Sequence, residues 1–232
     1  MGDVVNPARS SASGRQAAVT SSHVLASSAA LTVLAQGGNA VDAAVTASFV
    51  LGVIEPNSTG IGGDCFALYL PKDATRPLGL NGSGATPAAL DPGIAYAAGG
   101  APLAETSVHA VTIPGCVDGL CQLLAQHGTW PLARALAPAI AFAENGFPVH
   151  ARVAREWRAA AAKLAQNEAA RAHLLVNGAA PEAGDVVRMP ALASTLRKIA
   201  VDGPEAFYRG TVAAQLAQFL HNAGGFHMAE DF

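Results

Sequence analysis

The residues with chemistry in them are few, and most sit in two glycine-rich runs. Gly60-Ile61-Gly62-Gly63 has the composition of a loop whose backbone N–H groups cradle a phosphate. Its context argues otherwise. A dinucleotide-binding loop follows a strand and opens a helix, whereas this run follows a helical pattern and opens a strand pattern. The structural alternatives are left-handed backbone or close packing against another segment, and either suits a loop that shapes a pocket wall. Ser83, in Asn81-Gly82-Ser83-Gly84, resembles a nucleophile elbow. The elbow needs glycine two residues before the serine, where Asn81 stands, and no helix pattern follows.

Histidines and cysteines add no site. The seven histidines contain no pair at i, i+4. His23, His109, His127 and His150 fall near element ends and read as surface or capping groups. Cys65, Cys116 and Cys121 lack a zinc-ligand spacing and read as small buried apolar residues. No pair of carboxylates stands out for acid–base work. No residue is assigned as catalytic, and no metal and no cofactor is expected.

The elements that would position these runs are legible from pattern. Residues 1–16 read as a flexible leader and 17–232 as one unit. Ala17 to Thr20 reads as a short strand. Ser27 or Ser28 can cap a helix that Gly37-Gly38 stops. Asn39 caps the next helix with Asp42 at N3, where a carboxylate suits the positive end of the helix dipole. From Ala40 to Val53 that helix is apolar all round, so it requires cover on most sides; Glu55-Pro56 ends it. Cys65 to Leu70 reads as a buried strand and Pro77 to Asn81 as its return partner. The run from Thr106 to Gly115 reads as a strand. Helices are expected at Val117 to Gln126, from a Thr129 cap to Glu144 with Pro138 kinking it, and at Arg152 to Leu164, Ala191 to Ile199 and Thr211 to Asn222. A hairpin among many helices predicts an α+β chain with helices covering sheet.

Composition narrows the class. Apolar residues make up 51% and charged residues 13%, which excludes disorder and implies heavy burial. A net charge of −3 gives no basic footprint for nucleic acid. The polar N-terminus has no signal-peptide core, and the apolar run from Ala40 to Ile54 is too short to span a bilayer. A cytoplasmic protein without membrane contact is therefore expected, or a periplasmic one if the start is misassigned.

Several segments, in order, resemble the γ-glutamyltranspeptidase family of N-terminal-nucleophile hydrolases: SSHVLAS (Ser21 to Ser27), QGGNAVDAA (Gln36 to Ala44), GVIEPNSTGIGGDCF (Gly52 to Phe66), IPGCVDGL (Ile113 to Leu120), HGTWPLARALAPAIAFAENGFPV (His127 to Val149) and FYRGTVAAQLAQFLHNAGG (Phe207 to Gly225). Together they cover nearly the whole chain from residue 17. The resemblance implies a four-layer αββα sandwich made as a precursor that cuts itself into large and small subunits. The nucleophile it implies is the threonine that opens the small subunit, acting on glutathione and other γ-glutamyl amides. No threonine of this chain matches it, so the chain is expected to be an inactive, truncated portion of the large subunit, with the small subunit as its partner.

One departure bears on substrate. The family's transpeptidases carry an arginine, in an Arg-Glu-x-x-Pro stretch, that holds the α-carboxylate of the γ-glutamyl group. Alignment on Leu80-Asn81 and Pro87 puts Ser83 at that position, followed by Gly84. Ser83 thus marks the substrate-binding pocket, but one neutral donor replaces a charged bidentate fork. An acylase of the same family with a different acyl amide as substrate is an alternative. A second alternative is a non-catalytic binding or assembly module.

Overall fold

The computed structural model describes residues 13–96, 103–104 and 106–232. Most of the expected leader, residues 1–12, lies outside them.

The chain opens with an antiparallel helical pair, α1 (Val24–Ala35) and α2 (Ala40–Ile54), followed by the hairpin β1 (Cys65–Tyr69) and β2 (Leu78–Gly82). A short α3 (Pro92–Tyr96) and a 3-10 turn at Val108–Ala110 lead to α4 (Cys116–His127) and α5 (Leu132–Asn145). The remainder is β3 (Phe147–Pro148), α6 (Ala151–Leu164), α7 (Glu168–Leu174), β4 (Val186–Val187), α8 (Pro190–Asp202), α9 (Glu205–Tyr208), α10 (Gly210–Asn222) and a last 3-10 turn at Ala229–Asp231. The expected mixture of helix and sheet is what folds. In the described residues the sheet consists of two antiparallel ribbons: β1–β2, in register from Cys65↔Gly82 to Tyr69↔Leu78, and β3–β4.

Helix α2 is the centre. It packs on α1, α4 and α5, and α5 in turn carries α8. Val45, Phe49, Val50, Val53 and Ile54 are all fully buried, which is the cover its uniformly apolar surface requires. Its start is fixed by a reciprocal capping box: Asn39 Oδ1 accepts the Val41 and Asp42 N–H groups, and Asp42 Oδ2 accepts the Asn39 N–H at 2.7 Å. The Asp42 carboxylate, fully buried, also accepts the Thr129 N–H (2.8 Å) and hydroxyl (2.6 Å) and the Trp130 N–H (3.0 Å). Burial alone would raise this carboxyl, but the hydrogen bonds from Thr129, Trp130 and Asn39 outweigh it and hold it below its ordinary value. One side chain therefore fixes both the start of α2 and the turn between α4 and α5.

Several expectations fail for identifiable reasons. Residues 17–20 form no strand, because no ladder partner reaches them among the described residues. The expected strand from 106 is a 3-10 turn capped by the Ser107 hydroxyl; beyond it the Ile113 N–H bonds across to the Ala85 carbonyl and the Gly115 N–H to the Gly63 carbonyl, with no ladder between. The cap of α1 is His23, whose Nδ1 accepts the Leu25 N–H at 3.1 Å, while the Ser27 hydroxyl pairs with Ser21. The cap of α5 is Pro131, since Thr129 is committed to Asp42. Strand β1 is not buried: Phe66 is 67% and Leu68 82% exposed, so one face of the hairpin lies open while the other packs on α4.

Candidate functional site

Ser83 is exposed, directly after β2, and its N–H donates to Asn81 Oδ1 at 3.0 Å. The hydroxyl makes no hydrogen bond among the described residues. What fixes this residue is the backbone around it. The segment 82–85 lies against 113–116 so closely that a Cβ at Gly84 would overlap the Ile113 carbonyl, and one at Gly115 would overlap the Gly82 carbonyl. A Cβ at Gly82 would stand 2.9 Å from the Cys65 oxygen. Here glycine is a steric necessity, because it allows backbone to touch backbone.

Hydrogen bonds fasten the same corner. The Ile113 N–H donates to the Ala85 carbonyl at 2.9 Å, and the Gly63 carbonyl accepts from Gly115 (3.1 Å) and Cys116 (2.9 Å). Asp64 Oδ1 accepts the Gly84 N–H at 3.3 Å. From far along the chain, the Tyr208 hydroxyl donates to the Pro114 carbonyl (2.7 Å) and accepts the Asp118 N–H (3.0 Å). Burial pushes that phenol up to about 12, so it stays a donor at any ordinary pH. Neither Asp64 nor Tyr208 stands out in the sequence. Their contacts join positions 20 and 94 residues apart, which no local pattern reports.

The Gly60–Gly63 loop reaches the corner through the Gly63 carbonyl, yet it meets neither expectation for its glycines. None has positive φ, and a Cβ at Gly60 or Gly62 would find no atom within 4 Å. At its root, the Glu55 carbonyl accepts the Ser58 (2.9 Å) and Thr59 (3.1 Å) N–H groups. The buried Glu55 carboxylate is ion-paired with Arg152 and accepts the Ser22 hydroxyl at 2.7 Å. Beside it, His23 is buried as well as capping, rather than a surface group. Burial lowers its pKa; Glu55 opposes this, and His150 and Arg152 reinforce it.

No side chain here is poised as a nucleophile. Burial raises all three thiols, Cys116 and Cys121 to about 12, with Cys65 and Asp64 adding to the effect at Cys116. Among the described residues no group of three or more His, Cys, Asp or Glu has the geometry to hold a metal. No helix among them is long and apolar enough to cross a membrane.

Comparison with known proteins places this architecture. The family described as Gamma-glutamyltranspeptidase matches residues 26–232. The chain belongs to that family. It is 35% identical over 219 residues to the glutathione hydrolase-like YwrD proenzyme of Bacillus subtilis, covering 94% of this chain and 42% of that protein. It is 37% identical over 207 residues to the oxamate amidohydrolase proenzyme of Klebsiella pneumoniae, covering 87% of this chain and 39% of that one. The crystal structure of Helicobacter pylori γ-glutamyltranspeptidase superposes with a TM-score of 0.89 at 30% identity, over 96% of this chain and 64% of its own. The fold is thus of the N-terminal-nucleophile hydrolase type expected from sequence. The chain spans about two fifths of the length of these curated relatives.

Proposed function

We propose that this chain is the first part of the large subunit of a self-processing amidase, one that cleaves an acyl amide and passes the acyl group to water or an amine. The observation that carries the reading is the family match over residues 26–232. The nucleophile is a threonine at the start of a small subunit, outside this chain. Its hydroxyl attacks the amide carbonyl with its own α-amino group as base; the amine leaves with a proton, and water or a second amine opens the ester. Fixed donors stabilise the oxyanion between these steps.

This chain's share is acyl recognition. Ser83, held by the glycine-packed corner, offers its hydroxyl to the acyl group, and the fixed backbone around it limits reorganisation on binding. With serine in place of arginine, a charge-assisted contact of about 1.5–3 kcal/mol is lost, which weakens γ-glutamyl binding by roughly one to two orders of magnitude. The open face of β1, with Phe66 and Leu68, receives the rest of the precursor. That loss favours the alternative of an acyl group other than γ-glutamyl.

The test is expression of the reading frame through and beyond Phe232. One band resolving into two on a denaturing gel, with hydrolysis of simple acyl anilides exceeding that of the γ-glutamyl anilide, is the expected result. A frame with no threonine-led segment after Phe232, or a product that neither splits nor cleaves any amide, overturns it.

A further inference from the structure

The corner that holds Ser83 also holds a carboxylate. Asp64 is exposed at the entrance to β1, and Oδ1 accepts the Gly84 N–H. Oδ2 has no partner among the described residues. The Asp64 charge is felt within the corner, where it adds to the effect of burial on the Cys116 thiol. No arginine or lysine is bonded to Asp64, Ser83 or Gly84 among the described residues. The cavity of about 280 Å³ behind Gly84 does contain Arg209, but that guanidinium is paired with Glu205 and shares the cavity with Asp118 and Asp231. Compared with a corner built on arginine, the fixed charge here has the opposite sign.

We propose that Asp64 is a specificity-determining residue of the acyl site, favouring acyl groups that carry an ammonium and disfavouring those that end in a carboxylate. This rests on the reading of the corner around Ser83 as part of the acyl site. A carboxylate tethered at one oxygen by a backbone N–H keeps its second oxygen for a ligand, and an ammonium there forms a charge-assisted hydrogen bond. An acyl chain ending in a carboxylate meets like charge instead. For a partly exposed pair, each effect amounts to roughly two- to fivefold in kcat/KM. Ser83 is compatible with either ligand, since its hydroxyl can donate or accept.

Asp64→Asn separates charge from structure, because the amide oxygen can still accept the Gly84 N–H. The assay uses the full-length processed protein and three p-nitroanilides of matched reach: hexanoyl, ω-aminohexanoyl and adipoyl. The wild type should rank the amino compound first and adipoyl last. Asp64→Asn should lower kcat/KM for the amino compound roughly fivefold, raise it for adipoyl by a similar factor, and leave hexanoyl within about twofold. An equal loss on all three would make Asp64 a structural tether only, and no change on any would remove it from the site; either result overturns the proposal. Ser83→Arg, run beside it, isolates the premise by its expected gain on adipoyl. If Ser83→Arg changes nothing while Asp64→Asn reorders the series, the Ser83 reading falls and Asp64 stands. The reverse pattern keeps Ser83 and removes Asp64.

Discussion

Two groups of glycines lie side by side in this molecule, and their reasons differ. Gly82, Gly84 and Gly115 are glycines because two stretches of backbone touch; any side chain there would overlap a carbonyl. Gly60 and Gly62 have ordinary φ and open space where a side chain would go. Gly60 borders a largely apolar cavity of about 560 Å³ shared with Ile61, Leu174, Met189 and Leu192. The first group is explained entirely from inside the chain. No contact within the described residues explains the second. Similar composition therefore gives a fastened wall in one place and a vacant ledge in the other.

The contrast is sharpest where a methyl group is added. Gly84→Ala should cost roughly 3 kcal/mol in denaturant unfolding, because the Ile113 carbonyl is backbone, tied through its own N–H to Ala85, and cannot move aside. A loss below about 1 kcal/mol would mean that the wall is looser than its contacts indicate. Tyr208→Phe comes next: it removes the partner of the Pro114 carbonyl and the Asp118 N–H and should cost about 1–2 kcal/mol by the same measurement.

The two regions should also respond to opposite ends of the pH scale. Cys116 and Tyr208 are raised in the folded state, so the fastened wall binds more protons than the unfolded chain above the ordinary thiol value of 9.0. Its contribution to stability is full below that pH and fades as pH rises toward about 12. His23, beside the root of the open loop, is lowered from 6.5, so the unfolded chain binds more protons below that value. Stability from this side is full above pH 6.5 and falls as the solution is acidified. Melting temperature against pH should therefore decline at both ends, and His23→Gln should flatten only the acid side. The smallest effect belongs to the ledge. Gly60→Ala should leave stability unchanged or raise it by about 0.4–1 kcal/mol, by restricting the unfolded chain, and a clear loss would erase the contrast.

Much of this was legible in the sequence, and the failures share a cause. The Asn39–Asp42 capping box, the β1–β2 hairpin and the long helices from α4 to α10 are written in local spacing and turn residues. Residues 17–20 and 106–113 carry strand-like composition without a ladder partner among the described residues, and strand formation depends on the partner. His23 as a cap, and Thr129 withdrawn from capping, follow from burial and from an aspartate 87 residues away. The position of Ser83 came from family resemblance. The backbone corner that fixes it, and the Asp64 and Tyr208 contacts that hold the corner, are long-range and leave no periodic trace. At 60–63 the composition suggests internal reasons for glycine, and the structure removes them at Gly60 and Gly62.

The uncovered face of β1 sets a schedule. During synthesis the hairpin leaves the ribosome early, with Phe66 and Leu68 outward and no described residue later in the chain to cover them. At roughly 5–20 residues per second, making the rest of this chain alone takes on the order of ten seconds. Throughout that interval a sticky strand is presented to every neighbouring nascent chain. The turn joining the two strands carries Lys72, Asp73 and Arg76, all exposed. Charges flanking an unavoidable hydrophobic strand discourage edge-to-edge association, so this turn serves as a guard for the nascent hairpin.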